Sequence, residues 1–268
     1  VVAAFFFALL VGLAQASLTR ESRLAMGTVV GITLIDAPPG AADAAYAAIE
    51  AGEAALSEWR PDSLSARLGN GEALTLPAAA ASLFVFAEAL RAGSGGLFNL
   101  GWRSRARLVA EGSQWRSSGP LDLGGLLKGY LVDEAAAALR AAGAQRFIVD
   151  AAGDLYASGD GPQGRGWWVT VEGPKGPVAR VRLIDQALST SGDHQQPGHI
   201  HRGDTGAPVT GDRLVSVVAP KGLVADGLAT ALFAGAPLTL ASEWGAAAWV
   251  SQDGATQTVG PARTFRRP

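Results

Sequence analysis

All three histidines of the chain, His194, His199 and His201, fall in one window of eight residues, and the only lysines are Lys128, Lys175 and Lys221. Chemistry that needs an imidazole therefore has one place to happen. His199 and His201 stand two apart, so a strand would put both on one face, with His194 across a bend. Three converging imidazoles would suit zinc. Against this, Gln195-Gln196-Pro197-Gly198 reads as a hairpin without fixed ligand geometry, which favours one working histidine with two exposed neighbours. Lys128 lies in Leu121-Asp122-Leu123-Gly124-Gly125-Leu126-Leu127-Lys128-Gly129-Tyr130. Here glycines flank a lone lysine at a turn into a helix, where free backbone N–H groups and the helix dipole favour an anion. It is neither a dinucleotide fingerprint nor a Walker A loop, since Gly follows Lys128. A glycine-rich turn with a capping aspartate is the plainer alternative.

Two further segments carry oxygen ligands. Asp226 and Thr230, in Ala225-Asp226-Gly227-Leu228-Ala229-Thr230, are four apart, so a helix sets carboxylate and hydroxyl on one face. Hard oxygens of that kind suit magnesium, which takes few protein ligands and leaves room for substrate phosphates; the alternative is a helix cap beside an ordinary threonine. Asp154, in Ala152-Gly153-Asp154-Leu155, could reach a ligand from a strand end, although Gly-Asp is also a common turn pair.

The elements that must position these groups follow from periodicity. Strands are expected at Thr28–Asp36, Gln145–Ala151, Trp167–Glu172, Ala179–Ile184 and Arg213–Ala219, which are rich in β-branched and aromatic residues. Helices are expected at Ala41–Trp59, Pro77–Ala92, Gly129–Ala142 and Val224–Phe233. Strands and helices alternate irregularly, and several strands are joined by short turns. The expected class is α+β: a mixed, largely antiparallel sheet packed with helices, as a sandwich and not a doubly wound parallel sheet. No internal repeat or linker is visible.

The chain has 268 residues, 48% hydrophobic and 17% charged, with 35 glycines, 14 prolines, no cysteine and a formal net charge of −2. That is too apolar for a disordered chain. It argues against a generally basic nucleic-acid binder, and the absence of cysteine removes disulfides, thiolate metal sites, cysteine nucleophiles and a lipoprotein anchor. Residues 1–16, VVAAFFFALLVGLAQA, form an apolar run ending in the small-x-small pattern of a signal-peptidase site. The run is shorter than the ~20 residues a membrane span usually needs, and a membrane anchor or a buried first helix is the alternative. The reading is a cleaved signal peptide over 1–16, from a precursor that begins upstream, and one mature periplasmic domain over 17–268 with no stable membrane span.

In their order, these segments resemble the ApbE family of FAD:protein FMN transferases. The resemblance runs from Met26-Gly27-Thr28 through Trp59-Arg60-Pro61-Asp62-Ser63, Ser94-Gly95-Gly96-Leu97-Phe98-Asn99 and the Asp122–Tyr130 loop. It continues through Gly153-Asp154, Thr190-Ser191-Gly192-Asp193, His199-Ile200 and Asp226/Thr230. It implies an ApbE/T-fold-like sandwich that binds FAD and, with Mg2+, transfers FMN through a phosphoester to a Thr or Ser of a partner protein, releasing AMP. By the same resemblance Met26 and Trp59 would contact the flavin, Leu97, Phe98 and Asn99 would line the FAD site, and Asp122 would bind the adenine side. Lys128 would lie beside the pyrophosphate. Gly125 (by its carbonyl), Asp226 and Thr230 would hold magnesium, and His199 would be the general base. The chain departs from the family pattern in two places. Arg202-Gly203 replaces the usual Asp-Pro, and the Val-Gly-Pro-Leu stretch after Asn99 is missing. Two other activities suit the same fold: a magnesium-dependent FAD pyrophosphatase, and a periplasmic flavin-binding protein without turnover. Gly254-Ala255-Thr256 echoes the family's acceptor motif, but Asp253 stands where that motif has Ser or Thr, so no self-flavinylation at Thr256 is expected.

Overall fold

The computed structural model describes residues 16–194, 196–261 and 264–268. The expected signal peptide lies, apart from Ala16, outside the described residues. In chain order the elements are β1 (Leu18–Ala25), β2 (Thr28–Ile35), α1 (Ala41–Leu56), α2 (Leu64–Gly69), β3 (Leu74–Thr75), α3 (Ala78–Gly93), β4 (Leu108–Glu111), β5 (Gln114–Ser117), α4 (Leu127–Ala141) and β6 (Arg146–Ala151). They continue with β7 (Asp154–Ser158), β8 (Trp167–Gly173), β9 (Gly176–Leu183), β10 (Gln186–Gly192), β11 (Arg213–Ala219), α5 (Gly222–Phe233), α6 (Thr239–Glu243), β12 (Ala247–Gln252), β13 (Ala255–Val259) and β14 (Phe265–Arg266). Among the described residues no helix is long and apolar enough to cross a membrane.

The main sheet has eight strands in the order β1-β2-β6-β7-β10-β11-β12-β13, and each neighbouring pair is antiparallel. Both faces are covered, which explains the apolar runs of its central strands. On one face Val30, Ile32 and Leu34 of β2 and Val215 and Val217 of β11 pack with Tyr46 and Ile49 of α1, Leu131 and Val132 of α4 and Leu228 of α5. On the other, Ile35, Leu155, Leu214 and Val218 pack with Trp167, Val171, Val181 and Leu183 of a small sheet ordered β14-β9-β8. A third sheet, β3-β5-β4, lies near α2 and α3. The structure is thus an α+β sandwich, as the sequence leads one to expect, with helices, a broad antiparallel sheet and a small sheet in layers.

The expected helices and strands are all present, with ends shifted by a few residues. Trp59 lies beyond α1, which stops at Leu56, and Lys128 lies inside α4, which begins at Leu127. The β1–β2 hairpin was not anticipated, because β1 is a mostly exposed edge strand without apolar alternation. Its tip is Met26-Gly27, both at positive φ (54° and 68°), the conformation of a tight two-residue hairpin turn. The Met26 N–H donates to Glu53 of α1 at 3.0 Å, so helix and hairpin tip are tied together.

Helix α5 (GLVADGLATALF) is apolar on nearly every side and is buried on nearly every side, behind β10 and β11 and against α4 and α3. It crosses α4 through two glycines. A Cβ on Gly129 would lie 2.2 Å from the Gly222 carbonyl oxygen, and one on Gly222 2.3 Å from that of Gly129. The start of α5 is capped from α4: Asp133 accepts the N–H groups of Gly222 (2.6 Å) and Leu223 (3.0 Å).

Candidate functional site

The close α4–α5 crossing brings Asp226 to the first turn of α4, where its Oδ2 accepts the Gly129 N–H at 3.0 Å. Asp226 is therefore not the cap of its own helix; it lies a full turn inside α5 and answers the free amides of α4. One turn further along α5, Thr230 presses against the glycine loop. A Cβ on Gly125 would lie 2.8 Å from the Thr230 methyl and 3.2 Å from its hydroxyl oxygen. Only glycine lets the loop's backbone come so near that hydroxyl.

Lys128 projects from the same turn of α4 and forms an ion pair with Asp154. Asp154 begins β7, directly after the Ala152-Gly153 turn (φ 55° and 97°), and is 3% exposed. It also accepts a hydrogen bond from the Ser189 hydroxyl of β10. Asp150, at the other side of that turn, accepts the Gly153 N–H at 3.0 Å. Burial alone would lower the Lys128 pKa, but the carboxylates of Asp154, Asp226 and Asp150 outweigh it and hold the ammonium above the ordinary lysine value. Burial raises Asp226 well above the usual carboxylate range; nearby Asp154 adds to this, while Lys128 and the Gly129 N–H oppose it. Burial, then Asp154, raises Asp150 in the same direction. Three acidic side chains share one ammonium, so the floor is short of positive charge and, with no cation present, burial keeps the proton on Asp226. A pyrophosphate would find Lys128 already paired with Asp154, so a divalent cation displacing the Asp226 proton would supply the missing positive charge.

This floor belongs to a cleft of about 850 Å³, which Met26, Trp59, Leu97, Phe98, Asn99, Asp122, Gly125, Lys128, His199, Asp226 and Thr230 all line. Every residue singled out for the site thus reaches one cavity. Trp59 stands at it largely exposed (81%). Asp122 accepts hydrogen bonds from Trp102 Nε1 (2.9 Å), from the Gly124 N–H (2.9 Å) and from Arg103 (2.9 Å), so its carboxylate is already occupied in stiffening the glycine loop.

The histidines do not converge into a three-imidazole metal site. Among the described residues no group of three His, Cys, Asp or Glu side chains is placed to hold a metal ion. Nor do His199 and His201 share a strand face: this stretch is a loop with one bridge, His201 to Pro208. His201 stacks on Trp102, with ring centroids 3.9 Å apart and planes 11° from parallel. His199 Nδ1 is hydrogen-bonded to the Gln196 carbonyl. A carbonyl only accepts, so Nδ1 carries the proton and Nε2 is left as a free acceptor. The loop is firm at its Arg202-Gly203 departure. The Gly203 N–H donates to the Leu97 carbonyl at 2.8 Å, a bond proline could not make, and a Cβ there would lie 2.5 Å from the Gly96 carbonyl. Arg202 pairs with Asp204 on the surface, and its N–H and C=O bond Ala207 and Gly206 across the turn.

Asp154, which the sequence leaves between a ligand contact and a turn, lines the cleft, and so do Asp150, Trp102 and residues 169–172, which no motif marks. The Gly-Asp pair was the one available signal for Asp154; its partner Lys128 is 26 residues away, and only the fold joins them.

A layered α+β sandwich whose cleft sets a glycine backbone, a buried carboxylate, a hydroxyl and a paired lysine together defines a class of protein suited to hold a cation and an anionic ligand side by side. Residues 105–242, just over half of the chain, match the ApbE family, and the chain belongs to that family. It is 29% identical over 127 residues to an FAD:protein FMN transferase of Haemophilus influenzae, and 36% identical over 139 residues to one of Rhodobacter capsulatus. Those matches cover 42% and 47% of this chain but only 37% and 26% of the relatives' own lengths. The fold is similar to the crystal structure of the apo flavinyl transferase ApbE of Pseudomonas stutzeri, with a TM-score of 0.79, 24% identity and coverage of 94% of this chain and 96% of that one. It is likewise similar to the flavin transferase ApbE of Vibrio cholerae, with a TM-score of 0.79 and 22% identity.

Proposed function

We propose that this protein is a periplasmic, magnesium-dependent FAD:protein FMN transferase, made as a precursor whose residues 1–16 are removed. The observation that carries the reading is the convergence of Gly125, Asp226 and Thr230 beside the Lys128–Asp154 pair in the cleft that also holds His199. The names of the relatives matched over part of their length point the same way.

The residues fit a hard divalent cation. The Gly125 backbone lies against the Thr230 hydroxyl, and Asp226 keeps one oxygen on the Gly129 N–H while lining the cleft. Carbonyl, hydroxyl and carboxylate oxygens are the donors magnesium takes. When bound, magnesium would neutralise charge on the pyrophosphate as a Lewis acid. Lys128 would place a further positive charge beside the phosphates, held in direction by Asp154. Trp59 and Met26 would cover the flavin, and the Leu97–Asn99 segment would form an adjoining wall.

The acceptor hydroxyl would lose its proton to His199 Nε2, the ring nitrogen that the Gln196 contact leaves free. The hydroxyl oxygen would then form a bond to the FMN phosphorus as the bond from that phosphorus to the AMP oxygen breaks, and AMP departs. Positioning and charge neutralisation do most of the work in such transfers. The test is to incubate the protein with FAD, magnesium and a threonine-bearing acceptor peptide. FMN mass on the peptide, with AMP in equal amount, is the expected result. AMP and free FMN without labelled peptide would mean a pyrophosphatase, and bound but intact FAD would mean a flavin-binding protein.

A further inference from the structure

The small sheet β14-β9-β8 has two features the proposed chemistry leaves unused. First, among the described residues β8 pairs with β9 alone, so its other edge is open. Val169, Thr170, Val171 and Glu172 all line the cleft although their side chains alternate between a buried and an exposed face. Alternation would give one face only every second residue, and the bulge between Val171 and Glu172 breaks it further, so four consecutive residues on one cavity bring the strand's outer edge, with its N–H and C=O groups, to the cleft wall. Second, the solvent face of this sheet carries an excess of positive charge, with Arg180, Arg182 and Arg266 against the one exposed acid of β8, Glu172. Arg182 pairs in register with Trp168, and Arg180 with both Thr170 and Arg266. The guanidinium groups of Arg180 and Arg266 lie 5.1 and 5.2 Å from the Trp168 ring centre. None of these three arginines has an ion-pair partner among the described residues. In a chain of net charge −2 this is a local excess of positive charge.

We propose that this sheet is the docking platform for the acceptor protein. An extended acceptor segment adds to the open edge of β8, which carries its hydroxyl into the cleft, and acidic residues flanking that segment lie over Arg180, Arg182 and Arg266. The inference rests on the transferase reading, since it takes the occupant to be the hydroxyl donor. Main-chain pairing to an edge supplies affinity without demanding a particular side chain at each position. The arginines and Trp168 supply orientation and attraction, with Trp168 as an aromatic anchor under two guanidinium groups.

The test uses the full chain loaded with FAD and magnesium. Two fluorescent threonine peptides serve as probes, one flanked by aspartates and one by lysines, and both binding and FMN transfer are measured. The acidic peptide should bind more tightly, and its advantage should shrink with added salt. In an extended strand every second N–H points to the neighbouring strand. N-methylating the acidic peptide at alternate amides of one parity should therefore weaken binding by about tenfold, while the other parity is tolerated. The triple variant Arg180→Glu, Arg182→Glu, Arg266→Glu should lose the preference for the acidic peptide and raise its KM by about tenfold, with kcat and the KM for FAD unchanged. If that variant unfolds at a lower temperature than the parent, the Gln triple variant, which removes the charge without reversing it, replaces it. Equal binding of acidic and basic peptides, or indifference to N-methylation at both parities, would overturn the docking surface even if FMN is transferred. Parity-dependent binding with no FMN ever reaching the peptide would instead overturn the transferase reading and leave the docking surface standing.

Discussion

Asp226 shows how much one side chain can be asked to do. It is buried, it accepts the Gly129 N–H, and it is the sole full negative charge among the proposed magnesium ligands. Asp226→Asn keeps an oxygen that can accept from Gly129 and removes only the charge. The expected outcome is an unchanged melting temperature, a magnesium requirement shifted to higher concentration, and a transfer rate lower by about 10²-fold. Wild-type magnesium dependence would remove Asp226 from the metal site. His199→Ala should lower transfer by about 10²–10⁴-fold, the usual weight of a general base, while FAD binding stays within a few-fold. His201→Ala and His194→Ala should be milder, because His201 is occupied in stacking on Trp102; equal losses in all three would contradict the tautomer argument. At this scale the sequence was legible wherever partners are close in the chain. Asp226 and Thr230 are a helical pair, and Lys128 stands alone among glycines. The setting of Asp154 was not, because its partners Lys128 and Ser189 are not its neighbours in sequence.

The helices were the most legible elements, since α1, α3, α4 and α5 are long, rich in alanine and leucine, and punctuated by Pro, Gly and turn residues. Strands β1 and β13 escaped because edge strands have no buried face to impose alternation, and the inner strands β7, β10 and β12 because burial on both faces leaves no alternation to read. What the sequence hid was the crossing of α4 and α5. Gly129 reads as part of a phosphate-type loop, yet it is also a contact at which the Gly222 backbone leaves no room for a methyl. Gly129→Ala should therefore destabilise the fold by about 1–3 kcal/mol in urea unfolding, and should weaken the site with it by moving Asp226. The same joint has a pH signature. Burial pushes Asp133 up to about 6 even though it accepts two N–H bonds from the start of α5. A carboxyl whose folded pKa exceeds its unfolded value binds its proton more tightly in the fold. Its contribution is full below the unfolded value near 3.8 and is lost as pH rises through about 6. Urea titrations of Asp133→Asn should accordingly show a flatter stability profile between these limits than the parent, by on the order of 1–2 kcal/mol. An identical profile would mean that the two N–H bonds offset burial in full.

At the scale of the whole molecule, the cleft exists because segments from most of the chain meet at one seam. The β1–β2 tip brings Met26, the end of α1 brings Trp59, the glycine loop and α5 form the floor, and β8 closes the far side. No boundary between parts could be read from the sequence, and the main sheet shows why: its strands are drawn from residue 18 to residue 259, with the helices threaded between them. A site so assembled should couple ligand binding to global stability. Its floor bears on which ligand would do so, since Asp150, Asp154 and Asp226 face a single ammonium and a divalent cation would be needed to balance a pyrophosphate there. FAD with magnesium at about 100 times its Kd should add about 2.7 kcal/mol of stability. For a chain of this size that is a rise in Tm of about 5–10 °C. Riboflavin has no phosphate to engage Lys128 or the metal, so at equal concentration it should shift Tm far less, whether or not magnesium is present. FAD with a chelator should fall between the two, near riboflavin, because the pyrophosphate then has only Lys128 to answer it from this floor, and Lys128 is already paired with Asp154. Thermal unfolding under these four conditions separates the contributions. Equal shifts for riboflavin and for FAD with magnesium would place the binding energy in the flavin pocket around Met26 and Trp59 and deny the acidic floor any part in recognising the substrate.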